Sequence, residues 1–402
     1  MSDKRAPKRS MEEWMDLVTE CRQSGLTDAA WCHEHGISPS CFYNAVTRLR
    51  KRACQIPEPV GKANTLDLTS HKQDVVQIAI EPELSPAEAI PDNGITSAYL
   101  DNSEAYFRPM YEFFHRKLLE RGFAMADETP VQVLNEPGRR AQTKSYMWLF
   151  HSGEDGEPPI ILYKYAETRA GDNAVEFLDG FKGYLMCNGY SGYNKVPDAK
   201  RTACWAHVRR YLTDAIPKGR QLDYAQPAVQ GVFYINQLFH LEDVIKAKNT
   251  SFDAIRKARL KKEQPIVEGF LSWVDQQTPV RGFRMDKVVT YIQNRRSDLT
   301  TYLEDGRCSF SNNLSENAIR PFTVGRKNWL FCDTPDGAQA SAMVYTMIEM
   351  AKANGVNVYH YLTYLLEKLP NDSMNDEELD LLAPWNESVK AEIQKRTDNA
   401  NN

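Results

Sequence analysis

The chain has 402 residues, 42% hydrophobic and 26% charged, with a formal net charge of −5. This is ordinary globular composition, enough for about two or three domains, and it excludes a polycation that binds phosphate by bulk charge. No stretch approaches the roughly 18 apolar residues that span a bilayer, no apolar signal core follows Met1, and eight scattered cysteines form no Cys-x-x-Cys pair. The expectation is a cytosolic protein with reduced thiols.

Residues 11–52 read as a compact helical unit. A first helix over 11–24 puts Trp14, Leu17 and Val18 on one face and is closed by Gly25. Thr27 is a natural N-cap for a second helix carrying Ala30, Trp31 and Cys32. Gly36 makes the turn, and Ser38-Pro39 pairs an N-cap with the residue best suited to the first helical position. A third helix over 39–52 turns Phe42, Tyr43, Val46 and Leu49 inward and ends in Arg48, Arg50, Lys51 and Arg52. That is the helix-turn-helix pattern, with the four cations set to meet DNA. The plainer alternative is a small bundle with a solvated basic end. The helix-turn-helix unit is assigned residues 1–53.

Residues 54–100 lose periodicity and gain Pro and acid, as a linker does, with one strand candidate over 75–80. A helix over 106–121 ends at Gly122. Strand candidates follow at 123–134, 146–150 and 160–165, then a helix over 173–181 and a strand at 184–187. Three strands, a helix and another strand is the opening order of an RNase H-like sheet, although other mixed α/β folds share it. Residues 206–300 read mostly as helix. Residues 314–369 read as helix interrupted near Thr334-Pro335-Asp336-Gly337, and 371–402 as an acidic flexible tail.

Two stretches carry the chemistry. Asp127-Glu128-Thr129-Pro130 closes a strand-like apolar run. Successive strand side chains point to opposite faces, so one acid faces a site; Asp127 is taken as that acid and Glu128 is expected to face away. In residues 311–322 a polar loop leads into a helix with Glu316 and Arg320 four apart on one face, one able to hold metal and the other phosphate. An ordinary solvated ion pair is the competing meaning. Trp329 and Phe331 alternate as in a strand and are expected in the core.

These stretches, together with Cys204-Trp205-Ala206-His207-Val208-Arg209-Arg210, resemble transposases of the insertion sequence 66 family. The likeness runs through Gly189-Tyr190-Ser191-Gly192-Tyr193, residues 325–331, Ala351-Lys352-Ala353-Asn354-Gly355 and Tyr361-Leu362, covering about residues 100–370. Separately, Ser24-Gly25-Leu26, Trp31-Cys32 and Gly36-Ile37-Ser38 resemble the small accessory protein of the same elements. The resemblance implies an RNase H-like α/β fold over 101–370, with a helical insertion near 210–300. It implies metal-dependent strand cleavage and transfer at element ends, with two Mg2+ or Mn2+ ions. The partners it implies are double-stranded DNA, in the bacterial cytosol or nucleoid, and a second copy of the chain. Carried over by motif, the three acid positions fall at Asp127, Asn188 and Glu316. Cys204 and His207 are expected to pack beside the site rather than bind zinc. Arg209, Arg210, Arg320, Arg326 and Lys327, with basic runs at 256–262 and 295–296, are the candidates for tracking a DNA backbone.

Two departures matter. The family's N-terminal coiled coil and Cys-rich segment have no counterpart, so the chain reads as a fusion with an internal loss. Position 188 is Asn where the resemblance places Asp. An amide keeps one carbonyl ligand but adds no charge; one charge pair at about 4 Å and an effective dielectric near 20 is worth on the order of 4 kcal/mol, roughly a thousandfold in rate. Glu128 faces away in this reading and Asp198 lies beyond the loop, so no substitute acid is expected. The Asn is an engineered trap, natural decay or repurposing, or a tolerated change. An impaired transposase and a non-catalytic DNA-binding regulator both remain open, with an unrelated nuclease the weakest reading.

Overall fold

The computed structural model describes residues 9–23, 28–38, 41, 42, 45, 95–217, 223–249 and 251–400. The chain divides into two units, Met1–Ala87 and Glu88–Asn402. In the first, α1 (Met11–Gln23) and α2 (Asp28–Glu34) lie where the apolar spacing predicts them. Trp14, Val18, Cys21, Trp31, Cys32, Ile37, Phe42 and Ala45 form one buried cluster. Gly36 takes φ +62°, the left-handed geometry that ends a helix at least cost in glycine. Arg48, Arg50, Lys51 and Arg52 lie outside the described residues, as do Thr27, Pro39 and the strand candidate at 75–80.

The second unit begins with α3 (Ile95–Leu119), which starts inside the stretch read as linker. It leads into β1 (Phe123–Gln132), β2 (Lys144–His151), β3 (Ile161–Ala166), α4 (Asp172–Phe177), β4 (Gly183–Cys187) and β5 (Ala199–Thr202). The strands form one sheet in the order β3-β2-β1-β4-β5. β1–β2 and β2–β3 are antiparallel, while β1–β4 and β4–β5 are parallel. This is a mixed α/β, RNase H-like sheet. The fifth strand, Ala-Lys-Arg-Thr, is short and mostly polar, which is why periodicity does not reveal it.

Alternation along β1 divides the core. Phe123 and Met125 join a cluster with Met186, Trp205, Phe270, Ile292 and Phe310, whereas Ala124 and Ala126 join one with Phe114, Phe150, Phe322 and Met347. The first cluster is built largely from α5 (Trp205–Ala215), α6 (Pro227–Lys248), α7 (Phe252–Lys262), α8 (Gln264–Asp275), α9 (Arg284–Asn294) and α10 (Arg296–Thr301). The insertion expected at 210–300 therefore covers one sheet face and is part of the core.

The opposite face receives α3, α11 (Asn313–Trp329), α12 (Pro335–Ala353) and α13 (Val358–Lys368). The break before α12 is a cap: Thr334 accepts from the Gly337 amide and Pro335 opens the helix. Two expectations are corrected here. Trp329 ends a helix and only partly meets the core, and Phe331 is exposed, because α11 runs to Trp329 before the chain turns. The segment read as an acidic flexible tail folds into α14 (Asp376–Asp380) and α15 (Glu387–Ala400), with Leu379, Leu382, Val389 and Ile393 buried in the main core. Its acids mark the outer face of these helices, and its sparse apolar residues are the anchors.

Candidate active site

The register Ala126↔Cys187 ends the β1–β4 pairing and sets Asp127 and Asn188 side by side where the two strands part. Asn188 Nδ2 donates to Asp127 Oδ1 at 3.0 Å and to Glu128 Oε1 and Oε2 at 3.1 and 3.0 Å. The expectation that Glu128 faces away from the site is corrected. Glu128 does alternate to the other side of β1, but Asn188 stands at the strand end and reaches both acids. The Glu128 side chain is wholly enclosed. It also accepts from Tyr193 Oη at 2.6 Å and Arg169 Nε at 2.8 Å.

The expected Asn188 carbonyl ligand is corrected too. Its Oδ1 accepts from the Tyr190 amide at 2.9 Å, so the amide presents its NH2, a donor, to the acids. The loop after β4 is built to hold this. Tyr190 lies under the Arg169 guanidinium at 4.2 Å and its hydroxyl donates to the Arg169 carbonyl. The Gly189 carbonyl accepts from Arg295. A Cβ at Gly171 would land on the Gly192 backbone, so the two glycines let α4 and the loop close.

The third acid position comes from α11. Glu316 Oε2 accepts from Arg210 at 3.2 Å, and Glu316 Oε1, buried without a hydrogen-bond partner, lies 3.5 Å from His207 Nε2. Cys204 Sγ accepts from the Asn312 amide at 3.1 Å. Cys204 and His207 thus pack beside Glu316 and position the N-terminus of α11. Arg326 Nη1 donates to Thr129 at 3.0 Å, tying the far end of α11 to β1. Burial, then the like charge of Glu128, pushes the Asp127 carboxyl up to about 6, against hydrogen bonds from the Glu128 amide and Asn188; the Glu316 charge adds to the rise. Burial also pushes His207 down, opposed by Glu316 and aided by Arg210.

The sequence profile of the Transposase IS66 family matches residues 89–340, and that of the IS66 C-terminal element matches residues 346–385. The chain belongs to the IS66 transposase family. It is similar to three uncharacterized proteins of Sinorhizobium fredii. The protein y4qI is 29% identical over 68% of this chain and 52% of its own length, y4jD 23% identical over 70% and 57%, and y4hP 24% identical over 57% and 44%. The chain spans about half the length of these curated relatives.

Members of this family carry a DDE-type site, which implies divalent metal held by carboxylates. Hard cations need anionic oxygens, and two cations a few ångströms apart need bridging charge. The residues here do not fit a two-ion centre as arranged. Asn188 turns N–H toward the acids, Glu128 is consumed by internal donors, and among the described residues no group of three or more His, Cys, Asp or Glu side chains is placed to hold an ion.

The basic residues named from the sequence also separate. Arg210 is paired to Glu316, and Arg209 turns to Asn236 and Phe239 on α6. Arg320 and Lys327 are exposed on α11. The run at 256–262 is corrected: Arg259 is fully buried against Glu242, and Arg256 and Lys257 pair with Asp253. Arg295 and Arg296 are likewise engaged, by Asp298 and Asp275. Arg169, Tyr190 and Tyr193 are the contributors that sequence reasoning missed. The Gly-Tyr-Ser-Gly-Tyr run signalled its loop, but nothing local marks Arg169.

Proposed function

We propose that this chain is a DNA transposase that engages the ends of an insertion sequence and whose strand cleavage and transfer are impaired by Asn188. The observation that carries the reading is the meeting of Asp127 and Asn188 at the parting of β1 and β4, with the charge of Glu316 felt at Asp127. Mg2+ or Mn2+ would supply Lewis acidity and a nucleophile at neutral pH. In Asn188→Asp, Asp127 and Glu316 together with the restored carboxylate would hold it, and in either chain Arg320, Arg326 and Lys327 would take backbone phosphates. The unit at 1–53 would add a helix-turn-helix contact through Arg48, Arg50, Lys51 and Arg52. Element ends come in pairs, so a homo-oligomer in the bacterial cytosol is the working form. No helix among the described residues is long and apolar enough to cross a membrane.

Asn188→Asp decides the matter. On element-end DNA with Mg2+ or Mn2+, the variant should cleave about a thousandfold faster than the parent chain, the factor expected for one restored charge. Equal rates, with the parent active, would sink the assignment of Asn188. The second reading, a DNA-binding regulator without catalysis, is favoured by the closed hydrogen bonding around Asn188. It predicts tight end binding by both chains and cleavage by neither.

A further inference from the structure

We propose that the Asn188 side chain takes the structural place of a bridging cation, so that this site is assembled without metal and no longer requires it. The proposal rests on the reading above for the location of the site and not for any activity. Asp127 and Glu128 are consecutive acids whose carboxylates both reach Asn188 Nδ2 at 3.0–3.1 Å. Like charges this close repel, and something positive or proton-donating must lie between them. A cation or a shared proton can fill that place; here an amide NH2 does.

Its orientation is dictated by a closed circuit. The Tyr190 N–H donates to Asn188 Oδ1, the Tyr190 hydroxyl donates to the Arg169 carbonyl, and the Arg169 guanidinium donates to Glu128, which accepts from Asn188. Reversing the amide would aim its oxygen at two carboxylates and leave the Tyr190 N–H facing an NH2, failing at both ends. The remaining groups around the acids are the Arg169 guanidinium on Glu128 and the Arg210 guanidinium with the His207 ring on Glu316, each already engaged. A carboxylate at 188 would remove the donor and add a third negative charge. The site would then need a cation to close.

The test is thermal unfolding of the full-length parent and Asn188→Asp, each in EDTA and in millimolar MnCl2, without DNA. The parent melting temperature should be the same in both. Asn188→Asp should melt lower than the parent in EDTA and recover by about 5 °C in Mn2+, as binding to the native state alone requires. A parent stabilised by Mn2+ as much as the variant, or a folded variant indifferent to Mn2+, overturns the proposal. Should the variant fail to fold, Mn2+ uptake by the parent, read by electron paramagnetic resonance against Asp127→Asn, decides alone. Uptake that Asp127→Asn abolishes overturns the proposal, and uptake that it leaves unchanged upholds it. Neither arm measures cleavage, so failure here leaves the DNA reading standing.

Discussion

Removing the Tyr193 hydroxyl deprives the enclosed Glu128 carboxylate of a donor at 2.6 Å. A buried acceptor left short of a partner costs about 1–3 kcal/mol, more when charged. Tyr193→Phe should therefore lower the free energy of unfolding in urea by at least that much, although only an oxygen is lost. A stability unchanged within error would show that Arg169 and Asn188 suffice for Glu128. At this scale Asp127 and Glu316 were legible as acids on a strand and at a helix start. The partners of Glu128 were not. They are 41 to 65 residues away, and a hydrogen bond across that separation leaves no periodic mark.

Arg259 is the side chain on which the helical insertion turns. It donates to Glu242 through Nε and Nη2, and to the carbonyls of Tyr302, Asp305 and Cys308, joining α6, α7 and the chain after α10. A buried pair broken on one side leaves a stranded charge, at about 3–5 kcal/mol. Arg259→Met should lower stability by that order in chemical denaturation. The double change with Glu242→Met should recover part of it, and no recovery would refute the pairing argument. A second element-level junction is α4 against the loop after β4. Gly171→Ala forces a methyl onto the Gly192 backbone and should cost about 1–3 kcal/mol. Proteolysis within 188–195 should quicken; an unaltered cleavage pattern would mean the loop has slack. A run of cations read from sequence as a solvated or DNA-facing stripe thus proves to contain a core residue. Charge density is local information, whereas burial depends on what packs above it.

For the whole molecule, the stability profile with pH follows from its buried titratable groups. Burial, then the nearby Glu242, pushes the Glu263 carboxyl up to about 8, against the Tyr302 hydrogen bond, Arg259 and Lys246. A folded pKa raised above the unfolded value of 4.5 gives stability that is complete below pH 4.5 and is lost as pH rises through 8. Glu263→Gln mimics the protonated form, so its melting temperature should match the parent near pH 5 and exceed it by several degrees near pH 8. A gap that narrows with pH would reverse the sign and refute the assignment. His151 acts on the other flank. Burial holds it down to about 4, so its contribution is present above 6.5 and lost as pH falls through 4. Together they place the broadest stability between the two transitions.

Sequence alone determined four of the five strands, the mostly helical stretch at 206–300 and two candidate acids, because periodicity and local residue chemistry are properties of neighbours along the chain. The family likeness added position 188 to that set. Only the tertiary structure decided that Glu128 belongs to the site, that the Asn188 amide turns its donor to the acids, that Arg259 is core and that the acidic C-terminal segment is anchored. Each of these is fixed by where a strand ends or which helix covers it, and that geometry exists only once distant segments have packed.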